Sequence, residues 1–154
     1  MCLNKILISY LILVNEVFQP RKLLIIRHGE RMDFVFKTWI QDCFDSSGHY
    51  FRKDVNMPKN VPFRDNKQDF QFDPPLTVIG TVQASLIGEA LKDESLSVDQ
   101  VYCSPSLRCL QTSHNLLKGL GLLELPINIE PGKILLQFVH CTFIHIHVQF
   151  YIFI

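Results

Sequence analysis

Charge of either sign is scarce at both ends of this 154-residue sequence. Residues 1–20 and 133–154 together hold only three charged side chains, namely Lys5, Glu16 and Lys133. The whole chain balances 15 basic residues against 15 acidic ones, so it lacks the basic field that attracts nucleic acid. The composition therefore predicts no nucleic-acid partner, and ionic chemistry must lie in the middle of the chain.

Paired cysteines are also lacking. The five cysteines are odd in number and show no Cys-x-x-Cys spacing, and the 47% hydrophobic content suffices for a core without disulfides. We expect free thiols and a reducing, cytoplasmic location.

The apolar ends lack the signals that would make them targeting or membrane segments. The run at 6–14 resembles the apolar part of a secretory signal, but no small-residue cleavage site follows it. The tail 133–154 has the length of a bilayer span, yet histidines and glutamines interrupt it and no basic cluster flanks it. We therefore predict an apolar leader at 1–20, an apolar tail at 133–154, and no membrane span.

The tail instead has the alternating pattern of a strand. His145 and His147 alternate with isoleucines, which predicts one polar face. A metal site there would need a third ligand at a sensible spacing, and the sequence offers none, so no metal is predicted. An uncharged, aromatic strand of this kind also favours association between copies of the chain.

The middle of the chain has the pattern of an α/β domain. Short apolar runs alternate with segments of helical periodicity, and Gly, Pro, Asn and Asp break up one long stretch. The predicted strands are 22–27, 98–103 and a short third strand near 125–130, the predicted helices are 77–92 and 105–119, and 41–75 is predicted to be a largely irregular insertion.

Several residues fit the boundaries of the two predicted helices. Thr77 is a plausible N-cap of the first predicted helix. Ser104 and Pro105 fit the N-cap and first position of the second, and Gly119 or Gly121 should end it.

Charged residues follow two of the predicted strands. Arg27, His28 and Arg31 come directly after the first strand, and Arg108 lies in the helix that follows the second. Since parallel strands end at the same edge of a sheet, these side chains should converge there. Arginines bind phosphate oxygens through paired N–H groups, and a neutral imidazole has a ring nitrogen that can attack phosphorus. The pattern predicts a phosphate-handling site that needs no metal or other cofactor.

Two other interpretations remain open. Cys103 and Arg108 form a Cys-x4-Arg sequence, one residue shorter than the phosphate loop of cysteine phosphatases, so a buried apolar role for Cys103 is favoured. The arginines could also bind phosphate, or a phosphorylated partner, without turnover.

Three motifs resemble those of the histidine phosphatase (phosphoglycerate mutase-like) superfamily. They are Arg-His-Gly-Glu at 27–30, Leu-Thr-x-x-Gly at 76–80 and Ser-Pro-x-x-Arg-x-x-Gln-Thr at 104–112. The segments 27–45, 50–62 and 101–112 are similar to the phosphatase domain of the ubiquitin-associated and SH3 domain-containing proteins and the ecdysteroid-phosphate phosphatases.

The resemblance implies a fold, a chemistry and a substrate class. It implies a three-layer α/β fold whose N-terminal part is 21–132, with His28 as the nucleophile and Arg27, Arg31 and Arg108 binding phosphate. The implied substrates are phosphotyrosine proteins or steroid phosphates.

Two parts of the family pattern are not found. The family's acidic proton donor and second catalytic histidine have no counterpart, since neither Asp nor Glu occurs after Glu130 and the later histidines lie in an unrelated context. We therefore expect a fold incomplete at its C-terminus. The alternative to a phosphomonoesterase is a catalytically impaired fragment that binds phosphate or a protein.

Overall fold

The computed structural model describes residues 23–130 and 151–153. These residues form one sheet of four strands, in which every neighbouring pair of strands is parallel. The strands are β1 (Leu23–Ile25), β2 (Gln100–Cys103), β3 (Ile127–Ile129) and β4 (Tyr151–Phe153), in the spatial order β1-β4-β2-β3. The predicted leader and the His145 and His147 face lie outside the described residues.

β4 lies between the two strands that carry the candidate site. Tyr151 is opposite Leu23 of β1 on one side and opposite Gln100 of β2 on the other. The predicted strands at 22–27 and 98–103 are confirmed in place, with shorter bounds. The first ends early because Ile26 and Arg27 already belong to the loop that leaves the sheet.

Four α-helices complete the described part of the chain. They are α1 (Met32–Val35), α2 (Trp39–Asp42), α3 (Val78–Asp93) and α4 (Leu107–Leu120). Because α4 connects the parallel strands β2 and β3, the chain has the crossover connection of an α/β protein, as predicted.

The cap of α3 is as predicted, and the start of α4 is not. Thr77 Oγ1 accepts a hydrogen bond from Gly80 N at 3.0 Å and is the N-cap of α3. Helix α4 begins at Leu107 rather than Pro105, because Ser106 is still extended and serves as the N-cap without a side-chain bond. Gly121 ends α4 in the left-handed conformation, with φ of 78°. Of the two predicted ends of this helix, Gly119 and Gly121, the second is therefore confirmed.

The long helices pack on each other and on the sheet. Leu116, Leu117 and Leu120 of α4 form a buried cluster with Val98 and Val101. At the contact between α3 and α4, a Cβ on Gly88 would collide with the Leu116 carbonyl, and one on Gly119 with the Ser85 carbonyl. Glycine therefore allows the two backbones to come close together.

The 41–75 insertion has few regular elements, as predicted, but it forms a core together with α1 and α2. Beyond the end of α2, its one regular helix is a 3-10 helix over Lys67–Gln71. Trp39 and Phe70 are each 1% exposed, and their ring centroids are 5.3 Å apart. The buried residues of this insertion core are Met32, Trp39, Ile40, Cys43, Met57 and Phe70.

Candidate active site

The segment that follows β1 borders a cavity of about 380 Å³. Arg27, His28 and Gly29 line one side of it, and α3 contributes Leu86 and Ile87 among its other lining residues. Arg27 is exposed and His28 is half-buried. The cavity therefore combines a cation, an imidazole and an apolar wall.

The imidazole of His28 is oriented by its neighbour. Its Nδ1 lies 2.9 Å from the carbonyl oxygen of Gly29. A carbonyl oxygen can only accept, so Nδ1 is the donor, and in the neutral ring the lone pair is then on Nε2. Nε2 is the ring atom that can act as a nucleophile.

Gly29 is tied to helix α4 through a buried hydroxyl. Gly29 N donates to Thr112 Oγ1 at 3.2 Å, and the same hydroxyl donates to the carbonyl oxygen of Arg108 at 2.8 Å. A Cβ on Gly29 would also collide with the backbone of Gly80. The loop that carries His28 is thus fixed against both α3 and α4.

Glu30 joins that loop to the N-terminus of α3. Its Oε1 accepts from Thr77 Oγ1 at 2.7 Å and from Asn56 Nδ2 at 3.0 Å. Its backbone N donates to Gln83 Oε1 at 2.9 Å, and its carbonyl accepts from Thr77 N at 2.9 Å. Glu30 is therefore an acceptor that holds the loop in place.

The motif at 104–112 is hydrogen-bonded to the motif at 76–80. Gln111 Oε1 accepts a hydrogen bond of 2.7 Å from Leu76 N, and Leu76 forms an isolated antiparallel bridge with Arg31. The motifs 27–30, 76–80 and 104–112 are therefore all hydrogen-bonded to one another. The sequence alone does not reveal these hydrogen bonds between the motifs, because each bond joins residues far apart in the chain.

Arg31 is already paired with a carboxylate. Its Nε and Nη2 donate to the two oxygens of Asp33 at 2.9 and 2.5 Å, and its guanidinium lies 4.2 Å from the centre of the Phe34 ring. Asp33 is not among the site residues predicted from the sequence. Its position two residues after Arg31 is the signal that could have identified it.

Arg108 is held from one side only. Its Nη1 is 3.7 Å from Asp73 Oδ1, while its Nε is buried and has no hydrogen-bond partner among the described residues. This Nε–H is a donor suited to an anion.

The four predicted site residues are only partly brought together. Arg27 and His28 share the cavity with Thr112, which lies one helical turn after Arg108. Within the described part of the chain, neither Arg31 nor Arg108 lines this cavity.

The cysteine alternative fits the geometry poorly. Cys103 is 1% exposed, and its thiol lies 3.0 Å from the Ser104 carbonyl, to which it can donate. Burial raises the pKa of the Cys103 thiol, which disfavours the thiolate that a cysteine phosphatase needs.

The described residues contain neither a metal-binding cluster nor a membrane helix. Their His, Cys, Asp and Glu side chains form no group of three or more that could hold a metal ion. Their helices all lack the length or the hydropathy that a membrane span requires.

Curated relatives match most of this chain. It is 54% identical over 114 residues to an ecdysteroid-phosphate phosphatase of Drosophila melanogaster, covering 73% of this chain and 15% of the relative. It is 52% identical over 117 residues to the ubiquitin-associated and SH3 domain-containing protein B of Homo sapiens, covering 74% of this chain and 18% of the relative. The chain therefore spans less than a fifth of the length of these two relatives.

Solved structures and a family model agree with these relatives. The ecdysone phosphate phosphatase of Bombyx mori, solved in complex with tungstate, matches with a TM-score of 0.68 and 38% identity over 73% of this chain and 44% of that one. The phosphohistidine phosphatase SixA of Agrobacterium tumefaciens shares the fold, with a TM-score of 0.50 and 16% identity over 88% of this chain and 69% of that one. The model of the histidine phosphatase superfamily, branch 1, matches residues 62–133. By these matches and its three joined motifs, the chain belongs to the histidine phosphatase superfamily.

Proposed function

We propose that the chain hydrolyses phosphate monoesters through a phosphohistidine formed on Nε2 of His28. The observation that carries this proposal is the Nδ1 contact with Gly29 O, which leaves Nε2 as the nucleophilic atom beside Arg27. The proposed class of reaction agrees with the phosphatases among the relatives.

The reaction takes place in two transfers. In the first, the Nε2 lone pair forms a bond to phosphorus while the bond from phosphorus to the ester oxygen breaks, and the leaving oxygen takes up a proton from solvent water. In the second, water attacks phosphorus while the bond from phosphorus to Nε2 breaks, which releases inorganic phosphate and a proton and restores the neutral imidazole. Guanidinium groups stabilise the charge on the phosphoryl oxygens in both steps.

The three arginines differ in their exposure and in which of their nitrogens already have a hydrogen-bond partner. Arg27 is exposed at the cavity, and Arg108 has a buried Nε–H with no hydrogen-bond partner among the described residues. Arg31 retains Nη1 while Asp33 occupies its other two nitrogens. We propose that all three bind the phosphoryl group, with Arg31 held in a fixed orientation by Asp33.

The proposed substrate carries an apolar organic group. Leu86 and Ile87 border the cavity that His28 opens into, so they could contact that part of the ester. The names of the relatives are consistent with this class, since one group acts on ecdysteroid phosphates. Both a steroid phosphate and a phosphotyrosine side chain satisfy the description.

Covalent labelling tests the proposal. The chain is incubated with a radiolabelled aryl phosphate and quenched rapidly, and we expect label that is labile to acid and stable to alkali. His28→Ala should abolish it, whereas His114→Ala, which removes an exposed histidine of α4, should not. Label that persists in His28→Ala would contradict the proposal.

A second candidate function is binding of phosphate without turnover. It is favoured by the engagement of Glu30, the acid nearest to His28 in sequence, which accepts two side-chain hydrogen bonds through Oε1. Loss of a general acid typically lowers a rate by about 10²–10⁴-fold. Measuring orthovanadate affinity together with turnover separates the candidates, because a binding protein shows the first and lacks the second.

A further inference from the structure

Asp73 is a carboxylate at the end of the 41–75 insertion with three nitrogen neighbours. Its Oδ2 accepts from Arg64 Nη2 at 2.6 Å, and its Oδ1 accepts from the backbone N–H of Leu107 at 2.7 Å. Oδ1 also lies 3.7 Å from Arg108 Nη1. One side chain thus contacts the insertion, the first residue of α4 and a proposed phosphate ligand.

The contact with Leu107 supplies the cap that α4 otherwise lacks. Ser106 makes no side-chain capping bond, so Asp73 satisfies one of the free N–H groups of the first turn from outside the helix. A negative charge is also favourable at a helix N-terminus. Asp73 therefore fixes the turn that carries Arg108.

The contact with Arg108 orients its side chain. Asp73 lies on the Nη1 side of the guanidinium, and the buried Nε–H has no partner among the described residues. Since the guanidinium is planar, holding one end determines where the remaining donors lie. The contact of Asp73 at Nη1 therefore leaves the Nε–H unoccupied by this carboxylate.

Arg64 holds Asp73 from the opposite side. Its guanidinium also donates to the carbonyls of Asp69 and Asp73 and lies 4.5 Å from the centre of the buried Phe70 ring. A continuous set of contacts thus joins the insertion core to Arg108.

We infer that Asp73 is a positioning residue, which couples the insertion to phosphate binding by fixing the first turn of α4 and the guanidinium of Arg108. This inference rests on the proposed function. Asp73 has no direct contact with the reacting group in this assignment and acts through Arg108.

Orthovanadate binding to the full chain provides the test, with each variant also melted to measure Tm. Asp73→Ala should weaken binding by about 10-fold, because Arg108 loses the carboxylate beside it and the first turn of α4 loses its cap. Asp73→Asn keeps an acceptor for Leu107 and loses the charge, so it should restore Tm but only part of the affinity. Asp65→Ala, an exposed carboxylate of the same segment, should bind like the unsubstituted chain.

Repeating the Asp73 substitution in an Arg108→Lys variant distinguishes a positioning role of Asp73 from a merely structural one. Arg108→Lys retains a positive charge without the planar fork, so Asp73→Ala should then cost no more than about 2-fold in affinity. An equal loss in both backgrounds, or unchanged binding by Asp73→Ala, would overturn the inference. If Asp73→Ala fails to fold, Asp73→Asn decides the question, and native affinity in that variant overturns the inference. Failure of the unsubstituted chain to bind vanadate overturns the proposed function as well.

Discussion

Thr112 shows how one small side chain organises the candidate site. It is 1% exposed, and its hydroxyl accepts from Gly29 N while it donates to the Arg108 carbonyl. Its position links the His28 loop to the helix that carries Arg108. Without this hydroxyl, the N–H of Gly29 would lose the partner that it has in the fold.

Thr112→Val tests this link with a side chain of similar shape. We expect the free energy of unfolding to fall by about 2 kcal/mol, because an N–H group is left unsatisfied. Orthovanadate affinity should fall as well, since the loop is less well held. Urea titration and calorimetry measure the two effects, and Thr112→Ser should preserve both values. A fully stable Thr112→Val variant would show that the hydroxyl is dispensable.

Ionisation of Tyr50 should lower the stability of the fold at alkaline pH. Burial, with a smaller effect of Cys43, raises the pKa of Tyr50 to about 12, and its hydroxyl must keep its proton to donate to the Pro58 carbonyl at 2.9 Å. In the unfolded chain the phenol has a pKa of about 10. The stabilisation is therefore complete below about pH 10 and is lost as pH rises towards 12.

Tyr50→Phe should remove that contribution. The difference in unfolding free energy between the unsubstituted chain and Tyr50→Phe should shrink between about pH 10 and 12. Denaturant melts across this range measure it, and taking the difference cancels the titration of other groups. A difference independent of pH would show that the phenol ionises equally in both states.

At the scale of secondary-structure elements, the packing of α3 against α4 depends on two glycines. Gly88 faces the backbone of α4, and Gly119 faces that of α3. Alanine is the better helix former by about 1 kcal/mol, so helix propensity alone favours replacing either glycine. The packing has the opposite preference because the carbonyl neighbours cannot move like flexible side chains.

Gly88→Ala is accordingly expected to destabilise the fold by about 2 kcal/mol, within the usual cost of overpacking. Thermal melts followed by circular dichroism provide the measurement. Glu89→Ala, at the adjacent exposed position of α3, should change stability by less than about 0.5 kcal/mol. Stabilisation of Gly88→Ala would mean that the helices separate at no cost.

The elements that local patterns define could be predicted, and those that distant contacts define could not. The apolar run before Arg27 and the Thr77 cap are local signals, and the structure confirms both. The true start of α4 depends on Asp73, which is 34 positions away from Leu107. The insertion core could not be predicted either, because Trp39 and Phe70 lie on two short helices that are far apart in the chain and meet only in the fold.

At the scale of the whole molecule, β4 joins the two halves of the site. Arg27 and His28 follow β1, Arg108 follows β2, and β4 is hydrogen-bonded between these two strands. Among the described strands, β1 pairs only with β4. The spatial relation between the two site segments therefore depends on β4 as well as on the bonds among the motifs.

Ile152→Pro tests the contribution of β4. Proline removes an N–H from the ladder of an interior strand and should lower the unfolding free energy by about 3 kcal/mol, with a matching loss of vanadate affinity. Ile152→Val retains the N–H and should remain folded. Unchanged melting of Ile152→Pro would show that the sheet does not need this strand.

The position of β4 also determines when the sheet can assemble during synthesis. The ribosome makes β1 first, but its partner Tyr151–Phe153 is made after every other described element. The helices, the insertion and the pair of β2 with β3 can form early from contacts closer in sequence, whereas β1 must wait for closure of a very long loop to pair with β4. Until then β1 has an unpaired edge in the nascent chain, and such an edge is a site of misassembly. We therefore expect the pairing of β1 with β4 to be the slowest of the described strand pairings, and a chain stalled before residue 151 to depend strongly on chaperones.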